Sequence, residues 1–327
     1  MSMNTTVRTP DPGIARATAL SREVLASVER AVVGKREELE LVLAAVLAGG
    51  HVLLEDFPGL GKTLAARSFA QALGLEFTRA QFTPDLLPGD LTGSFLFDPR
   101  RQEFSFREGP LFTNLLLADE VNRTPPKTQA ALLEAMQEGQ ITVEGTTFPL
   151  ARPFHVIATA NPVEHEGTYQ LPEAQLDRFL IKASVGYPGR EALTQILSSS
   201  AHPDRSKNLS AVVASSVVAS MADLAATNHI ENSVLDYIGA LVEATRAADE
   251  TRMGVSTRGA IGMARAARVW AASQGRSYVL PDDIKELAEV VWAHRLVMDP
   301  DAEFTGATAS GVITAALAQV PAPTTRD

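Results

Sequence analysis

The strongest structural signal in this chain is the stretch Phe57-Pro58-Gly59-Leu60-Gly61-Lys62-Thr63. An apolar run at residues 51–54 precedes it, and a helix-like run at residues 64–73 follows it. The order is therefore strand, glycine-rich turn and helix N-terminus. In such an arrangement the backbone N–H groups of the turn point inward, and the helix dipole favours anions. The stretch predicts a loop that holds nucleotide phosphates.

Two side chains at the end of this loop add to its chemistry. Lys62 supplies a point charge for a phosphate, and the Thr63 hydroxyl is placed to ligate magnesium. Asp56 stands where the strict pattern of such loops has its first glycine. We expect this departure to be tolerated, because the phosphate-facing donors lie mainly from Gly59 to Thr63. The alternative is a glycine-rich turn with a solvated lysine, which the flanking strand and helix signals disfavour.

A second chemical signal follows a later apolar run. Residues 115–118 are Leu-Leu-Leu-Ala, and Asp119 and Glu120 come directly after them. A buried strand that ends in acids places both at the carboxyl edge of a sheet, where α/β proteins bind ligands. In a P-loop NTPase the first acid holds magnesium, and the second orients or deprotonates the attacking water. Alone, the pattern also fits a solvated loop start. Together with Gly61-Lys62-Thr63 it predicts a site that hydrolyses a nucleotide.

Three further polar residues are candidates for the same chemistry. Asn161 ends another apolar run, where it can bind the γ-phosphate or position the water, although an asparagine before proline also opens ordinary turns. Arg178 fits either a surface ion pair with Asp177 or Glu173, or an arginine finger supplied in trans. Arg258 begins a predicted helix, where a cation is unfavourable for the dipole, and this local cost suggests a partner such as phosphate.

Composition bounds the class of protein. The chain has 327 residues, 45% hydrophobic and 21% charged, which suits a globular protein with up to two domains. It has no cysteine, which excludes a disulfide framework and a thiolate metal site.

Location and charge give two more expectations. The polar N-terminus lacks the apolar core of a signal peptide, and the longest apolar stretch, residues 41–54, is too interrupted to span a bilayer. We therefore expect a cytoplasmic protein with no membrane span. The net charge of −10 weighs against tight non-specific binding to DNA, so nucleic acid is not an expected partner.

Short apolar runs alternate with helical stretches as far as residue 188. Candidate strands lie at 51–54, 76–80, 114–118 and 155–158, with helices at 64–73 and 126–138. Buried strands that alternate with helices predict a parallel sheet covered on both faces. The fold class is therefore α/β, a three-layer P-loop NTPase core. Its predicted bounds are residues 21–188, with hairpin insertions at 95–106 and 140–150.

The two ends of the chain differ from this core. Residues 1–20 are predicted to form a flexible arm. After residue 188 only helical patterns follow, which predicts a small all-helical lid at residues 189–300. The tail, residues 301–327, is predicted to be partly helical.

These motifs together resemble the MoxR type of AAA+ ATPase, within the helix-2-insert clade that is related to magnesium-chelatase-like ATPases. The resemblance runs over residues 31–296, and its most specific segment is residues 81–90, Gln-Phe-Thr-Pro-Asp-Leu-Leu-Pro-Gly-Asp. The other matching segments are 117–129, 132–138, 158–162, 171–179, 275–283 and 294–296. The resemblance implies an AAA+ core followed by a helical lid.

The resemblance also implies a role for each candidate residue. Asp119 and Glu120 form the Walker B pair, with Glu120 catalytic. Asn161 is the first sensor, Arg258 the second and Arg178 the finger, and Arg258 acts either in cis or in trans. ATP and Mg²⁺ are the implied cofactors, with the metal held by Thr63 and Asp119. The residues implied to contact the nucleotide are Val33, Gly34, Pro58, Gly59, Leu60, Gly61, Lys62, Thr63 and Leu64. Val33 and Gly34 fall where this superfamily contacts adenine.

The same resemblance implies partners. It implies a homo-oligomeric ring, a hexamer, in which both hairpin insertions face the axial pore or one ring surface. It further implies chaperone-like remodelling or maturation of a client protein, beside a protein with a von Willebrand factor A domain. The client itself is not identified by the sequence.

Three alternative functions are weighed against this hypothesis. A DNA-associated AAA+ motor is disfavoured by the acidic chain and by the lack of a basic-aromatic stripe. A regulatory module that keeps ATP as a structural ligand is disfavoured by the intact Asp119-Glu120 pair. A chelatase-type ATPase subunit stays open, and it would need a separate porphyrin-binding partner.

Overall fold

The structure is a computed structural model, and it describes residues 12–100, 102–162, 169–198 and 205–324. The part of the chain as far as residue 183 contains both strands and helices. Their bounds are α1 Pro12–Glu29, α2 Arg36–Leu47, β1 Val52–Glu55, α3 Lys62–Ala72, β2 Phe77–Gln81, α4 Pro88–Thr92, β3 Gly93–Asp98, β4 Glu103–Glu108, β5 Leu115–Asp119, α5 Pro126–Glu138, β6 Gln140–Val143, β7 Thr146–Pro149, β8 His155–Ala160, α6 Glu173–Leu176 and β9 Ile181–Ala183. A 3-10 turn, Val121–Arg123, follows β5.

The second part of the chain is mainly helical. Its elements are α7 Arg190–Ser198, α8 Ser215–Ala226, α9 Asn232–Ala247, β10 Thr251–Met253, α10 Thr257–Ser273, α11 Pro281–Trp292, β11 Val297–Met298, α12 Pro300–Phe304 and α13 Ala309–Gln319. Two 3-10 turns, Arg205–Asn208 and Ala293–Arg295, complete it. The pair β10–β11 forms a small antiparallel ribbon that the helical patterns did not predict. Strands of two and three residues are too short to show an alternating pattern.

The central sheet has five parallel strands in the order β2-β5-β8-β1-β9. The predicted parallel α/β sheet with a helical lid is therefore confirmed, and β9 is a strand that the sequence did not predict. Because β8 lies between β1 and β5, the segments that follow these three strands emerge side by side at one edge. The sheet order thus brings the glycine-rich loop, the acid pair and Asn161 to one place.

Side chains alternate between the two faces of the sheet, as the period of a strand requires. Leu54 and Leu117 belong to a buried cluster that includes α1, α2, α3 and the lid helices. Leu53 and Leu116 belong to a second buried cluster, which α5 covers with residues such as Leu132. Burial on both faces explains why these strands are continuously apolar rather than alternating.

Helix α1 corrects one prediction. Residues 12–20, predicted to lie in a flexible arm, are helical from Pro12 onward, so that prediction is wrong for them, and residues 1–11 lie outside the described residues. Ile14, Val24 and Val28 recur at helical spacing and are buried. The Thr18 hydroxyl donates to the carbonyl of Ala272 in α10 at 2.7 Å. The segment reads as polar because part of its buried face is small or hydroxylated, and its partner helix lies far away in the sequence.

Two hairpins project from the core and contact each other. The strands β3 and β4 form one, and β6 and β7 form the other. Phe106 stacks on Phe148 with ring centroids 4.0 Å apart and planes inclined by 12°. At the tip of the first hairpin Phe97 and Phe104 pair with each other and are more than half exposed. We call these two hairpins the hairpin face.

None of the helices in the described ranges is both long enough and apolar enough to cross a bilayer.

Three histidines lie in the interior of the described chain. Burial lowers the pKa of His51 to about 3, that of His155 to about 4 and that of His294 to about 3. The ring of His51 shows the cause in detail. Its Nδ1 accepts the N–H of Val156 at 3.0 Å, and its Nε2 lies 3.0 Å from the carbonyl oxygen of Met136. An Nδ1 that accepts a hydrogen bond cannot carry a proton, so the fold holds the neutral ring.

Stability is therefore expected to fall in mild acid. Below the ordinary histidine pKa of about 6.5, the unfolded chain binds protons that the folded chain excludes, so the stability present above that pH is lost as pH falls towards 3 to 4. Between pH 7 and pH 5 each histidine is expected to account for about 2 kcal/mol of lost unfolding free energy. Urea unfolding at the two pH values measures the loss. His51→Gln should reduce the loss of unfolding free energy between pH 7 and pH 5 by the contribution of one histidine. A loss equal to that of the unsubstituted chain would contradict the assignment to buried histidines.

Candidate functional site

A cleft of about 460 Å³ opens at the carboxyl edge of the sheet. The predicted residues that line it are Pro58, Gly59, Leu60, Gly61, Lys62, Thr63, Leu64, Asp119, Glu120 and Asn161. Two residues that the sequence did not single out, Arg79 and Thr159, line it as well. The structure thus brings four separate segments of the chain into one polar cleft, and the roles assigned to the predicted residues stay predictions.

The glycine-rich loop owes its shape to backbone conformation. Gly59 and Gly61 have φ of +85° and +88°, a region that residues with a side chain rarely adopt. A Cβ on either glycine would meet no atom within 4 Å, so glycine is required here by the backbone angle and not by lack of space. Helix α3 then begins at Lys62, and the residues of its first turn, whose N–H groups have no partner within the helix, line the cleft. This is the geometry in which helix N-termini bind phosphate.

Lys62 is held by the loop that it follows. Its Nζ donates to the carbonyl oxygens of Asp56 and Phe57, at 2.5 and 3.3 Å. Burial lowers the pKa of the Lys62 ammonium, and three carboxylates of the site oppose that shift. A hydrogen bond to an anionic phosphate is stronger than one to a neutral carbonyl. An incoming phosphate can therefore draw the ammonium away from the loop carbonyls.

Asp119, the last residue of β5, is bonded on both carboxylate oxygens. Its Oδ2 accepts two N–H bonds from Arg79, at 2.7 and 3.0 Å. Its Oδ1 accepts the hydroxyl of Thr159 at 2.6 Å. These bonds fix the orientation of the carboxylate, which lines the cleft. Arg79 comes from β2 and Thr159 from β8, the two strands that flank β5.

Glu120 stands at a turn with φ of +59°, an uncommon conformation for a residue with a side chain. Its N–H donates to the Thr159 hydroxyl at 2.8 Å. Its Oε2 accepts hydrogen bonds from Gln81 at 2.8 Å and from Arg123 at 3.1 Å. The carboxylate is therefore presented at the cleft by neighbours from β2 and from the 3-10 turn.

The donor set suits a magnesium ion. Thr63 offers a hydroxyl and Asp119 a carboxylate, and both line the same cleft. Magnesium prefers oxygen ligands, and it is usually bound through one or two carboxylates together with substrate phosphates. The residues present therefore fit the implied metal.

Asn161 is buried directly after β8, the strand beside β5. Its backbone carbonyl accepts a hydrogen bond from the Asn122 side chain at 3.1 Å.

Arg178 and Arg258 are not brought into this cleft. They line a different cavity of about 350 Å³, together with Arg265 and Arg295. Within the described ranges no carboxylate lies at ion-pair distance from Arg178, and its buried Nε has no hydrogen-bond partner. The surface ion pair with Asp177 or Glu173 is therefore not formed. Within one subunit, the predicted finger does not face its own glycine-rich loop.

Asp177 organises the helix start that carries Arg258. Its carboxylate accepts from Arg295 and from the Ser256 hydroxyl, the latter at 3.0 Å. The Ser256 hydroxyl in turn accepts the N–H of Gly259 and caps α10. Nη1 of Arg258 lies 3.9 Å from Asp177, a long contact for an ion pair. The carboxylate offsets the unfavourable position of a cation at a helix N-terminus, and about half of the Arg258 side chain stays exposed.

Val33 and Gly34 are not among the residues that line the cleft. Gly34 has φ of +72°, and a Cβ there would lie 2.5 Å from Cβ of Ala192 in α7. The neighbouring Lys35 donates to the carbonyl of Tyr187 at 3.0 Å. This segment therefore lies against the start of the lid, and its predicted contact with adenine stays a prediction.

Asp56 is the residue whose role the sequence missed. It is 4% exposed, and its carboxylate accepts hydrogen bonds from residues 184–186. The aspartate at the first loop position therefore makes buried polar contacts that a glycine there could not make. Arg79 and Gln81 were missed too, although their spacing of two on a strand places them on one face. Only the position of β2 beside β5 relates them to the acids.

Two family models match the chain. The model described as "ATPase family associated with various cellular activities (AAA)" matches residues 51–181. The model described as "AAA lid domain" matches residues 243–315. The first spans the glycine-rich loop, the acid pair and Asn161, and the second includes Arg258.

Whole proteins and a solved structure are also similar. The uncharacterized protein YeaC of Bacillus subtilis is 46% identical over 299 residues, 91% of this chain and 93% of YeaC. Chaperone MoxR1 of Mycobacterium tuberculosis is 41% identical over 300 residues, 89% of this chain and 79% of MoxR1. A crystal structure of a candidate ATPase from Cytophaga hutchinsonii has a TM-score of 0.89 at 39% identity, covering 95% of this chain and 97% of that one.

Proposed function

The chain belongs to the MoxR family of AAA+ ATPases, and we propose that it hydrolyses ATP with Mg²⁺ and uses the cycle to remodel or mature a partner protein. One observation carries the proposal. Lys62, Thr63, Asp119, Glu120 and Asn161 line a single cleft at the edge of the sheet. Hydrolysis of a nucleotide requires groups that bind phosphate, oxygen ligands for a metal and a base beside them.

The proposed reaction assigns each residue one task. The loop N–H groups and Lys62 bind the β- and γ-phosphates. Glu120 orients a water and takes its proton while the water oxygen attacks the γ-phosphorus. The bond between that phosphorus and the β–γ bridging oxygen breaks, and ADP and phosphate leave. Asn161 holds the γ-phosphate or the water in line.

The metal has its own place in this proposal. Thr63 and Asp119 would hold Mg²⁺, which when bound neutralises negative charge on the phosphates. The contacts of Asp119 support this task, because Arg79 and Thr159 orient its carboxylate at the cleft.

We further propose that the site is completed by a neighbouring copy of the chain in a ring, a hexamer. The placement of Arg178 and Arg258 supports this, since they line a cavity separate from the cleft of their own subunit. Arg178 has no carboxylate partner among the described residues, so its charge is available to an anion from outside the subunit. Both arginines are proposed to act in trans on the neighbour's ATP.

The hairpin face is the proposed contact for the client. Its exposed pair Phe97 and Phe104 offers an apolar surface of the kind that binds protein segments. A protein with a von Willebrand factor A domain is proposed as a companion, and the cytoplasm as the location.

The client proposal is tested by identifying the protein that co-purifies with Glu120→Gln in the presence of ATP. A subunit that binds ATP but does not turn it over should retain its client longest. Capture of no protein above the level of the natural chain would count against a client.

ATP turnover of the unsubstituted chain tests the enzymatic part of the proposal. We expect phosphate release from ATP in the presence of Mg²⁺, and a fall of about a hundredfold or more when EDTA removes the metal. Lys62→Ala is the matched control, because it should lose ATP binding at any metal concentration. Turnover that persists unchanged in EDTA would contradict the metal's role, and equal turnover by Lys62→Ala would contradict the site.

A further inference from the structure

The carboxylate of Asp56 ties the glycine-rich loop to the segment that leads into the lid. Its Oδ1 accepts the Ser184 hydroxyl at 2.6 Å and the N–H of Gly186 at 3.1 Å. Its Oδ2 accepts the N–H of Val185 at 2.5 Å. Three hydrogen bonds to one buried carboxylate make a rigid contact, since charged acceptors form the stronger bonds.

The tied segment is the connection between core and lid. Residues 184–189 join the last strand of the sheet, β9, to the first lid helix, α7. The next residue along each segment also meets its counterpart, because Phe57 and Tyr187 stack with centroids 6.3 Å apart. Lys35 donates to the Tyr187 carbonyl from the other side. We call residues 184–189 the linker, and four of its contacts are to Asp56 and Phe57 at the start of the loop.

Asp56 also contacts Lys62, the residue proposed to bind phosphate. Its backbone carbonyl accepts the Lys62 ammonium at 2.5 Å, while its carboxylate holds the linker. If Lys62 moves to a phosphate, the Asp56 carbonyl loses that partner. The peptide group between Asp56 and Phe57 is then free to change its orientation. The same residue would carry that adjustment to Val185 and Gly186.

We propose that Asp56 is a positioning residue that couples phosphate binding at Lys62 to the position of the lid. The inference rests on the proposed function, because it takes the loop to bind ATP. A purely structural role is the competing explanation, in which Asp56 only satisfies two N–H groups of the linker, one buried and one partly buried. The two explanations differ in what nucleotide does to the lid. Coupling requires a nucleotide-dependent lid movement that disappears with Asp56, whereas a structural contact does not.

Two substitutions remove all or part of the contact from its two ends. Asp56→Gly restores the strict loop pattern, so the phosphate-binding donors from Gly59 to Thr63 are kept. Ser184→Ala removes one hydrogen bond to Asp56 and leaves the loop sequence untouched. Ser310→Ala is the matched control, because the Ser310 hydroxyl makes an equal 2.6 Å bond to a carboxylate, Glu289, within the lid.

The absence of cysteine makes a labelled chain simple to build. Dyes attached after Gln71→Cys in the core and Glu243→Cys in the lid, both exposed positions, report the distance between the two parts by energy transfer. The change on adding ATPγS is recorded for the unsubstituted labelled chain and for each variant. Affinity for a fluorescent ATP analogue and turnover of ATP are measured in parallel.

We expect the unsubstituted chain and Ser310→Ala to show the same energy-transfer change. Asp56→Gly should bind the analogue within about threefold of normal, lose most of the change, and turn over ATP about tenfold more slowly. Ser184→Ala keeps the two N–H bonds to Asp56 and should lose a smaller part of the change. A full energy-transfer change in Asp56→Gly would overturn the inference, and so would a change in Ser184→Ala that is no smaller than the change in Ser310→Ala. An unsubstituted chain that binds no nucleotide would overturn the proposed function itself, which the parallel binding measurement distinguishes.

Discussion

Glu120→Gln should bind ATP as tightly as the natural chain and turn it over about a thousandfold more slowly. The amide has the shape of the carboxylate and keeps an oxygen that can accept from Gln81 and Arg123. It cannot take a proton from water at neutral pH. The substitution therefore removes the base and leaves the phosphate-binding loop intact. Phosphate release and equilibrium binding of a fluorescent ATP analogue, measured on the same preparation, separate the two effects.

A matched control removes one exposed acid elsewhere. Glu250→Gln makes the same chemical change at an exposed position of the lid, and it should leave turnover within about twofold of normal. Normal turnover by Glu120→Gln would show that another group acts as the base. Loss of binding together with turnover would assign Glu120 to the structure of the cleft instead.

Arg178→Ala should also bind ATP and lose about a thousandfold in turnover, because arginine fingers contribute 10³ to 10⁵ in rate. The reason lies in its position. Arg178 lies outside the cleft of its own subunit, so its removal should leave binding there unchanged. The loss should therefore appear in kcat and not in affinity for ATP.

Mixing variants tests whether Arg178 acts on a neighbour. Lys62→Ala supplies a normal Arg178 but no working loop, and Arg178→Ala supplies a working loop but no finger. Equal amounts of the two, each nearly inactive alone, should recover a measurable part of the normal turnover when they assemble together. The double variant Lys62→Ala/Arg178→Ala has no finger to supply, so its mixture with Arg178→Ala should stay inactive. Recovery in that mixture, or full turnover by isolated single subunits, would rule out action in trans.

Local sequence was sufficient where the chemistry and the backbone lie in consecutive residues. Gly59 and Gly61 need left-handed backbone angles, and Lys62 follows them at the start of a helix, so loop and function can be read from a few adjacent positions. The same holds for β5, where four buried residues lead directly to Asp119 and Glu120. Strand and helix periods then placed these motifs in a parallel sheet, and the family resemblance led to the same core and lid.

Contacts between distant segments could not be read in this way. Arg79 and Gln81 hold the acids only because β2 lies beside β5, which no local pattern specifies. Helix α1 is ordered because α10, more than two hundred residues later, covers its small apolar face. The reason is the same in each case, since burial and hydrogen bonding depend on the partner and not on the segment alone.

Asp56 shows the division most clearly. In the sequence it is one departure from a loop pattern, and the phosphate-binding residues beside it explain why the loop survives the change. In the folded chain its carboxylate meets the linker, 128 to 130 residues away. The motifs thus specified which chemistry the chain carries, because each is a local arrangement of backbone and side chains. The tertiary structure determined which distant segments those residues contact, because the role of a buried carboxylate depends on the donors that surround it.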